Sequence, residues 1–177
     1  GHRKWWCNPV QTPVTFSKTP QLPPQQLCWG QSKASHTALL VHGFYLDGLA
    51  EMLDRFQPDQ EPGFDLYIST PLQQMHVVVE LLKRHDWQRV CVFGVTNRGR
   101  DIAPFLLHLL PAALAAGHVS FVKLHTKSSP HLPDGETWGE LLTTTLLQSE
   151  FLRDLPLRLE RLPQLALLGP AGTRAPI

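Results

Sequence analysis

Two short polar stretches hold most of the residues in this chain that could do chemistry. The first is Asn97, Arg98, Gly99, Arg100 and Asp101, with two guanidinium groups on either side of a glycine and a carboxylate at the end. The second runs from His125 through Thr126, Lys127, Ser128, Ser129 and Pro130 to His131, with two imidazoles and an ammonium close together. Arginine and lysine neutralise phosphate oxygens, and a neutral histidine or a carboxylate can accept a proton from a hydroxyl. Holding a diphosphate and moving one proton is within the means of these two stretches. Each also has a plainer reading. Asp101 would cap a helix, Gly99 would permit a turn and Arg98 and Arg100 would stay solvated, while the second stretch would be a solvated turn. A metal at His125 and His131 would need a third ligand, for which Asp134 and Glu136 are the nearby candidates. The histidine spacing of a zinc-binding helix is missing, so no metal site is assigned, and neither a nucleophile elbow nor a P-loop is present.

The elements around these stretches decide whether they can meet. Residues 38–42 form a short apolar run ending at His42, followed by Leu46, Leu49, Met52, Leu53 and Phe56 at helical spacing. Residues 64–69 read as a second strand, 72–84 as a helix, and 89–95 as a third strand that is apolar on both faces. A loop at 96–100 leads into a helix over 101–116 that stops at Gly117; strand 119–124, helices 136–148 and 151–161 and a last strand at 165–168 follow. Such alternation predicts an α/β fold: a mostly parallel sheet of about five strands with helices on both faces, joined by right-handed crossovers. Ligands bind such sheets at the carboxyl ends of the strands. Both polar stretches follow strands, so both should face one crevice, and His42 at the end of the first strand is placed to reach it. His76, His85, His108 and His118 fall on helices or helix ends and read as structural or solvated.

Composition narrows the classes. A chain of 177 residues with 42% hydrophobic and 18% charged residues can bury a core without metals or disulfides. Its net charge of +1, with scattered basic residues, offers no field to concentrate nucleic acid. The most apolar stretch, 105–116, is too short to span a bilayer and contains His108 and Pro111. Cys7, Cys28 and Cys91 have no CxxC spacing, so free cytosolic thiols are expected, in keeping with a cytoplasmic protein, at the inner face of a membrane only through partners. Residues 1–35, rich in proline, glutamine and serine and carrying Trp5, Trp6 and Trp29, read as an extended leader; 36–172 as the α/β domain; 173–177 as a tail. The tryptophans read as packing groups before sugar-stacking ones. Gly1 and His2 look like a scar of tag removal, and the domain is expected to be one part of a longer catalytic unit.

The strings NRGRDIAPFL at 97–106 and KLHTKSSPH at 123–131, with Trp138 and Leu141 after them, resemble the two signature blocks of the rhamnan synthesis protein F family. VHGFYLDGLAEML at 41–53, FDLYISTP at 64–71 and LALLGPAG at 165–172 are similar to its first strand and helix, second strand and closing strand. The resemblance implies a part in assembling rhamnose-containing cell-surface polysaccharides, within a longer multidomain protein or synthase complex. It implies a glycosyltransferase-like domain with a nucleotide sugar such as dTDP-rhamnose as donor, a glycan as acceptor and no resident cofactor. The order of parts is similar to half of a Rossmann-like, A-type glycosyltransferase. Where that fold usually carries an Asp-x-Asp metal site, this chain reads His125, Thr126 and Lys127, which implies transfer without a metal. By the resemblance Asp101, His125 and His131 are the catalytic candidates, and Asn97, Arg98, Gly99, Arg100, Thr126, Lys127, Ser129 and His42 the substrate-binding ones. Ser128 and Gly139 depart from the family, which often has lysine and arginine there. A catalytically silent sugar- or nucleotide-binding module is the alternative.

Overall fold

Both sides of the strand Thr37–His42 are apolar, with Leu39 and Val41 facing one way and Ala38 and Leu40 the other. A strand of this kind is stable only in the interior of a sheet that is covered on both faces. The computed structural model describes residues 25–31, 35–55, 63–126, 149–162 and 164. In it this strand, β2, is buried along its whole length between two parallel neighbours. The strands are β1 (Gln25–Gly30), β2 (Thr37–His42), β3 (Asp65–Pro71), β4 (Arg89–Val95) and β5 (Ser120–His125), in the order β1-β4-β3-β2-β5. The last four are mutually parallel, and β1 lies antiparallel against β4. The α/β reading with a mostly parallel sheet therefore holds. From β2 the chain builds outward to β3 and β4, then returns past β2 to lay down β5, so the topological switch falls between β2 and β5.

Helices cover both faces. α1 (Leu46–Arg55), α2 (Met75–Leu82, after a 3₁₀ turn at Leu72–Gln74) and α5 (Ser149–Arg161) enclose one core, in which Leu49, Leu53, Val78, Leu82 and Leu152 meet Leu39, Leu66, Val92 and Val122. The other face is covered by α3 (Ile102–Pro104), a π segment (Phe105–Leu109) and α4 (Leu110–Ala115), with Leu109 and Ala113 against Leu40, Tyr67, Cys91 and Phe93. The helix expected over 101–116 is thus interrupted. The Leu110 N–H reaches back to the Phe105 carbonyl, one residue further than in an α-helix, just before Pro111, which has no N–H to give. It ends as expected, with Gly117 at φ 85°.

A proline inside α5 shows how that helix is tied to the sheet. Pro156 cannot donate to the carbonyl four residues earlier, Leu152, which is buried. The Thr37 hydroxyl donates to that oxygen instead at 3.2 Å, and it also bonds Ser120 Oγ at 2.8 Å. A bond missing from the helix thereby fastens α5 to the starts of β2 and β5.

Two expectations are corrected here. The leader expected over 1–35 contains a strand: Gln25–Gly30 pairs with β4, and Trp29 packs on the first core, in keeping with a packing role for that tryptophan. Its neighbours in β1 are exposed, so the strand carries little of the apolar signal by which strands are read. The expected free thiols are also corrected for two cysteines. Cys28 and Cys91 stand directly opposite each other across β1 and β4 and form a disulfide. They lie 63 residues apart, and only the strand pairing brings them together. The leader outside 25–31 and 35, Cys7, the helix at 136–148, the strand at 165–168 and the tail lie outside the described residues.

Reduction of this bond should release β1, which is otherwise held by its backbone ladder and Trp29. Cys28→Ser is expected to lower stability by about 2–4 kcal/mol, as for a cross-link closing a loop of this length. Calorimetry, with and without dithiothreitol, checks this. Hydrogen exchange should show protection lost first at Gln25–Gly30; unchanged protection there would mean that the bond holds nothing in place.

Candidate active site at the switch between β2 and β5

Parallel pairing puts the last residues of β2 and β5 side by side, so His42 and His125 are register partners at the carboxyl edge of the sheet. Alternation along β5 sends Lys123 to the same face as His125, toward the start of α3. There Asp101 completes a cluster. Its Oδ2 accepts a hydrogen bond from Lys123 Nζ and lies 3.7 Å from His125 Nδ1, so one carboxylate oxygen serves two cationic or potentially cationic groups. Lys123 also lies over the Phe105 ring, 5.7 Å from its centroid. His42 is buried and shares a hydrogen bond between Nδ1 and Ser69 Oγ at 2.9 Å, which fixes its ring from the side of β3.

The protonation states follow from these contacts. Burial pushes the His42 imidazole below its ordinary value of 6.5; Asp101 and the Ser69 bond oppose this, while His125 and Lys123 reinforce it. His42 is therefore neutral at neutral pH. Burial alone would raise the Asp101 carboxyl, but the hydrogen bond and charge of Lys123, aided by His125, outweigh it and hold the group below its ordinary 3.8. The His125 side chain is 42% exposed, so an imidazole with an ionised carboxylate 3.7 Å from its Nδ1 is presented to solvent, an arrangement compatible with a general base.

The first loop reaches the cluster through backbone conformation. Gly99 has φ 72° and Arg100 φ 52°, two left-handed residues in succession that turn the chain from the end of β4 into α3. A Cβ on Gly99 would stand 2.3 Å from the Ala103 Cβ, so the position requires glycine for space as well as for torsion. Asn97, Arg98 and Arg100 are exposed at the rim, and neither arginine forms an ion pair among the described residues. Asp101 makes no side-chain cap to the helix, so the capping alternative does not describe it; its carboxylate turns to Lys123 and His125.

Thr126 is buried, and its hydroxyl is occupied by the fold: Oγ1 accepts the N–H groups of Phe44 at 3.0 Å and Tyr45 at 2.9 Å. The structure thus brings together His42, Asp101, His125 and Thr126, and leaves Asn97, Arg98 and Arg100 at the rim beside Gly99. Lys127, Ser129 and His131 lie outside the described residues. Reading the sequence missed Lys123 and Ser69. The signal was available, since a lysine two residues before His125 in a strand must share its face. Among the described residues no group of three or more histidine, cysteine, aspartate or glutamate side chains is arranged to hold a metal ion.

A profile of the rhamnan synthesis protein F family matches residues 20–171. The chain belongs to that family. The match begins before β1, so the edge strand is part of the family domain. Two curated relatives, each named "Uncharacterized protein WxcX" and coming from two strains of Xanthomonas campestris pv. campestris, are 40% identical over 109 residues. That segment covers 61% of this chain and 15% of each relative, so the chain spans a small part of their length. No solved structure matches. Membership connects the domain with rhamnan, and so with polysaccharide, synthesis. No helix among the described residues is long and apolar enough to cross a membrane.

Two outcomes are expected. Because the folded value of His42 is depressed, the unfolded chain binds more protons between that value and about 6.5, and stability falls as pH drops through this window. His108, also lowered by burial, adds to the loss with the same sign. His42→Gln should flatten part of the decline in urea unfolding measured across this range; an unaltered profile would contradict the assignment. Gly99→Ala should destabilise by at least about 1 kcal/mol through torsion and the Ala103 contact. It should also displace the Asp101 resonance in NMR spectra, whereas the neighbouring Arg98→Ala should leave both nearly unchanged.

Proposed function

We propose that the domain is a glycosyltransferase-like module of polysaccharide synthesis that transfers a sugar, rhamnose or a relative, from a nucleotide donor to a glycan acceptor. The observation that carries this reading is the exposed His125 imidazole beside the ionised Asp101 at the topological switch, in a chain of the rhamnan synthesis protein F family. His125, with Asp101 behind it, accepts the proton of the acceptor hydroxyl as that oxygen bonds to the anomeric carbon. The bond from that carbon to the diphosphate breaks, and the nucleoside diphosphate leaves. Arg98 and Arg100, exposed at the rim, and Lys127 neutralise the charge that develops on the leaving group. Asn97, Ser129 and His131 complete the polar lining in this proposal. Neutral His42 can donate or accept one hydrogen bond to a sugar hydroxyl through Nε2, its Nδ1 being engaged with Ser69.

A nucleotide-sugar donor goes with a cytoplasmic setting. In that compartment a disulfide such as Cys28–Cys91 is usually transient, so it would be open to the cellular thiol pool. The alternative reading, a silent sugar- or nucleotide-binding module, is favoured by the close Asp101–Lys123 pair, which would serve equally as a clamp between α3 and β5.

Activity and binding assays separate the two readings. His125→Gln and Asp101→Asn should lower transfer from dTDP-rhamnose by about 10²–10⁴-fold while leaving donor affinity within a few-fold of the parent. Arg100→Ala and Lys127→Ala should instead weaken donor binding in calorimetric titration. Donor binding with no turnover, in this chain and in longer forms of the protein, would establish the silent module; unchanged affinity in both cation variants would remove the diphosphate role.

A further inference from the structure

We propose that Tyr45, backed by Phe44, is a stacking platform for a pyranose ring of the substrate, a role that rests on the sugar-transfer reading of the crevice. The link between β2 and α1 consists of Gly43, Phe44 and Tyr45, and it is fixed from both sides. From β3, the Ser69 carbonyl accepts the Gly43 N–H at 2.8 Å, and the Thr70 hydroxyl donates to the Gly43 carbonyl at 2.8 Å. From β5, the Thr126 hydroxyl accepts the N–H groups of both Phe44 and Tyr45. Tyr45 O in turn accepts the Leu49 N–H at 3.0 Å, starting α1. A Cβ on Gly43 would stand 2.8 Å from Leu49 Cδ2, so the turn is also tight against the helix.

On this fixed turn the two rings meet edge to face, with centroids 5.0 Å apart and planes at 78°. Such a pair is mutually attractive and limits rotation of both rings. Among the described residues neither ring belongs to either core: the apolar clusters resume at Leu46. Phe44 is half-buried, and Tyr45 remains 44% exposed. Other large exposed apolar side chains, such as Leu107, Leu114, Leu157 and Leu162, lie on or just beyond the covering helices. Ile102 and Tyr45 stand at the carboxyl edge of the sheet, and of these Tyr45 is the aromatic one.

An exposed ring on a fixed turn at the carboxyl edge of the sheet, next to the switch in strand order, is suited to a ligand with one apolar face and hydroxyls around its rim, which is the chemistry of a pyranose. The ring face, electron-rich, attracts the polarised C–H groups of the sugar, and the low rotamer freedom of tyrosine keeps the entropy loss small. The Tyr45 N–H is bonded to Thr126, the residue that follows His125 at the end of β5, so the turn that carries the ring is tied to the strand end of the proposed base.

Calorimetric titration with dTDP-rhamnose and with dTDP, in the parent and in Tyr45→Ala, Tyr45→Phe and Tyr45→Trp, tests the proposal. Stacking of the sugar predicts that Tyr45→Ala loses about tenfold in affinity for dTDP-rhamnose but not for dTDP, while the phenylalanine and tryptophan variants retain it. Equal losses for both compounds would assign the ring to the base and overturn the sugar platform, as would no loss for either. If the parent binds neither compound, the nucleotide-sugar reading fails. The platform is then decided by NMR titration with a rhamnose oligosaccharide: shifts of the Tyr45 ring resonances support it, and an unmoved ring overturns it.

Discussion

The parallel pairing of β2 with β5 is the constraint on which the rest of the molecule depends. Because β5 returns past β2 instead of extending the sheet beyond β4, the switch in strand order falls between these two strand ends, the place at which such sheets bind ligands. The register then dictates which groups share it. With Thr37 opposite Ser120 at one end, His42 falls opposite His125 at the other. Threonine hydroxyls secure both ends. Thr37 links the strand starts to the Leu152 carbonyl left open by Pro156, and Thr126 links the strand ends to the Phe44 and Tyr45 amides. A slip of one residue would send Lys123 and His125 to the opposite face, into the core of Leu49 and Leu152. Burying a lysine among leucines is far more costly than the correct register, so the site and the fold are specified by the same pairing.

The face under α3, the π segment and α4 carries polar groups at both of its ends with an apolar middle. At the carboxyl end stand His42, Lys123, Asp101 and His125. At the amino end Asp65 and His118, both fully buried, approach to 3.4 Å; Tyr67 and His118 share a hydrogen bond of 3.0 Å, and Arg89 donates to the Tyr67 hydroxyl at 3.3 Å. The Arg89 guanidinium also reaches Gln31 O on the edge strand side. The two clusters differ in exposure and therefore in role. Asp65 and His118 are sealed from water and can be answered only by one another and by neighbours such as Arg89, whose Nε lies 3.9 Å from Asp65 Oδ2. Asp101 and His125, left partly in water, are open to a ligand, as the proposed role in proton transfer requires.

The fold was legible in the sequence because its central strands are short, apolar on both faces and separated by helical periodicity; β4 runs over the same residues, 89–95, as the apolar run suggested. The edge strand was not legible, since Gln25, Gln26, Leu27 and Cys28 are exposed and carry no alternation that burial would enforce. The Cys28–Cys91 bond was illegible for a related reason: it depends on which strand β1 joins, a choice made by a nonlocal pairing. Within the site, Asp101 and His125 were readable from residue type and from their position after strands. Their sharing of one oxygen with Lys123 was not, because it depends on the Gly99 and Arg100 torsions that aim the start of α3.

Those two left-handed residues also explain why the same loop can hold a half-buried carboxylate and exposed arginines. A chain continuing directly from β4 into a helix would carry Arg98, Arg100 and Asp101 around one turn, all in similar solvent. Reversal at Gly99 and Arg100 separates them: Asp101 drops toward Lys123, whose cation keeps it ionised against the opposing effect of burial, while Arg98 and Arg100 remain at the rim. The loop thereby places its negative charge on the sheet and its positive charge toward solvent. In the proposed transfer, an approaching diphosphate would meet the guanidinium groups first and be held apart from Asp101, whose repulsion would otherwise oppose it. The carboxylate is left to act on His125, and the glycine that permits the reversal matters as much to the chemistry as the charged residues on either side of it.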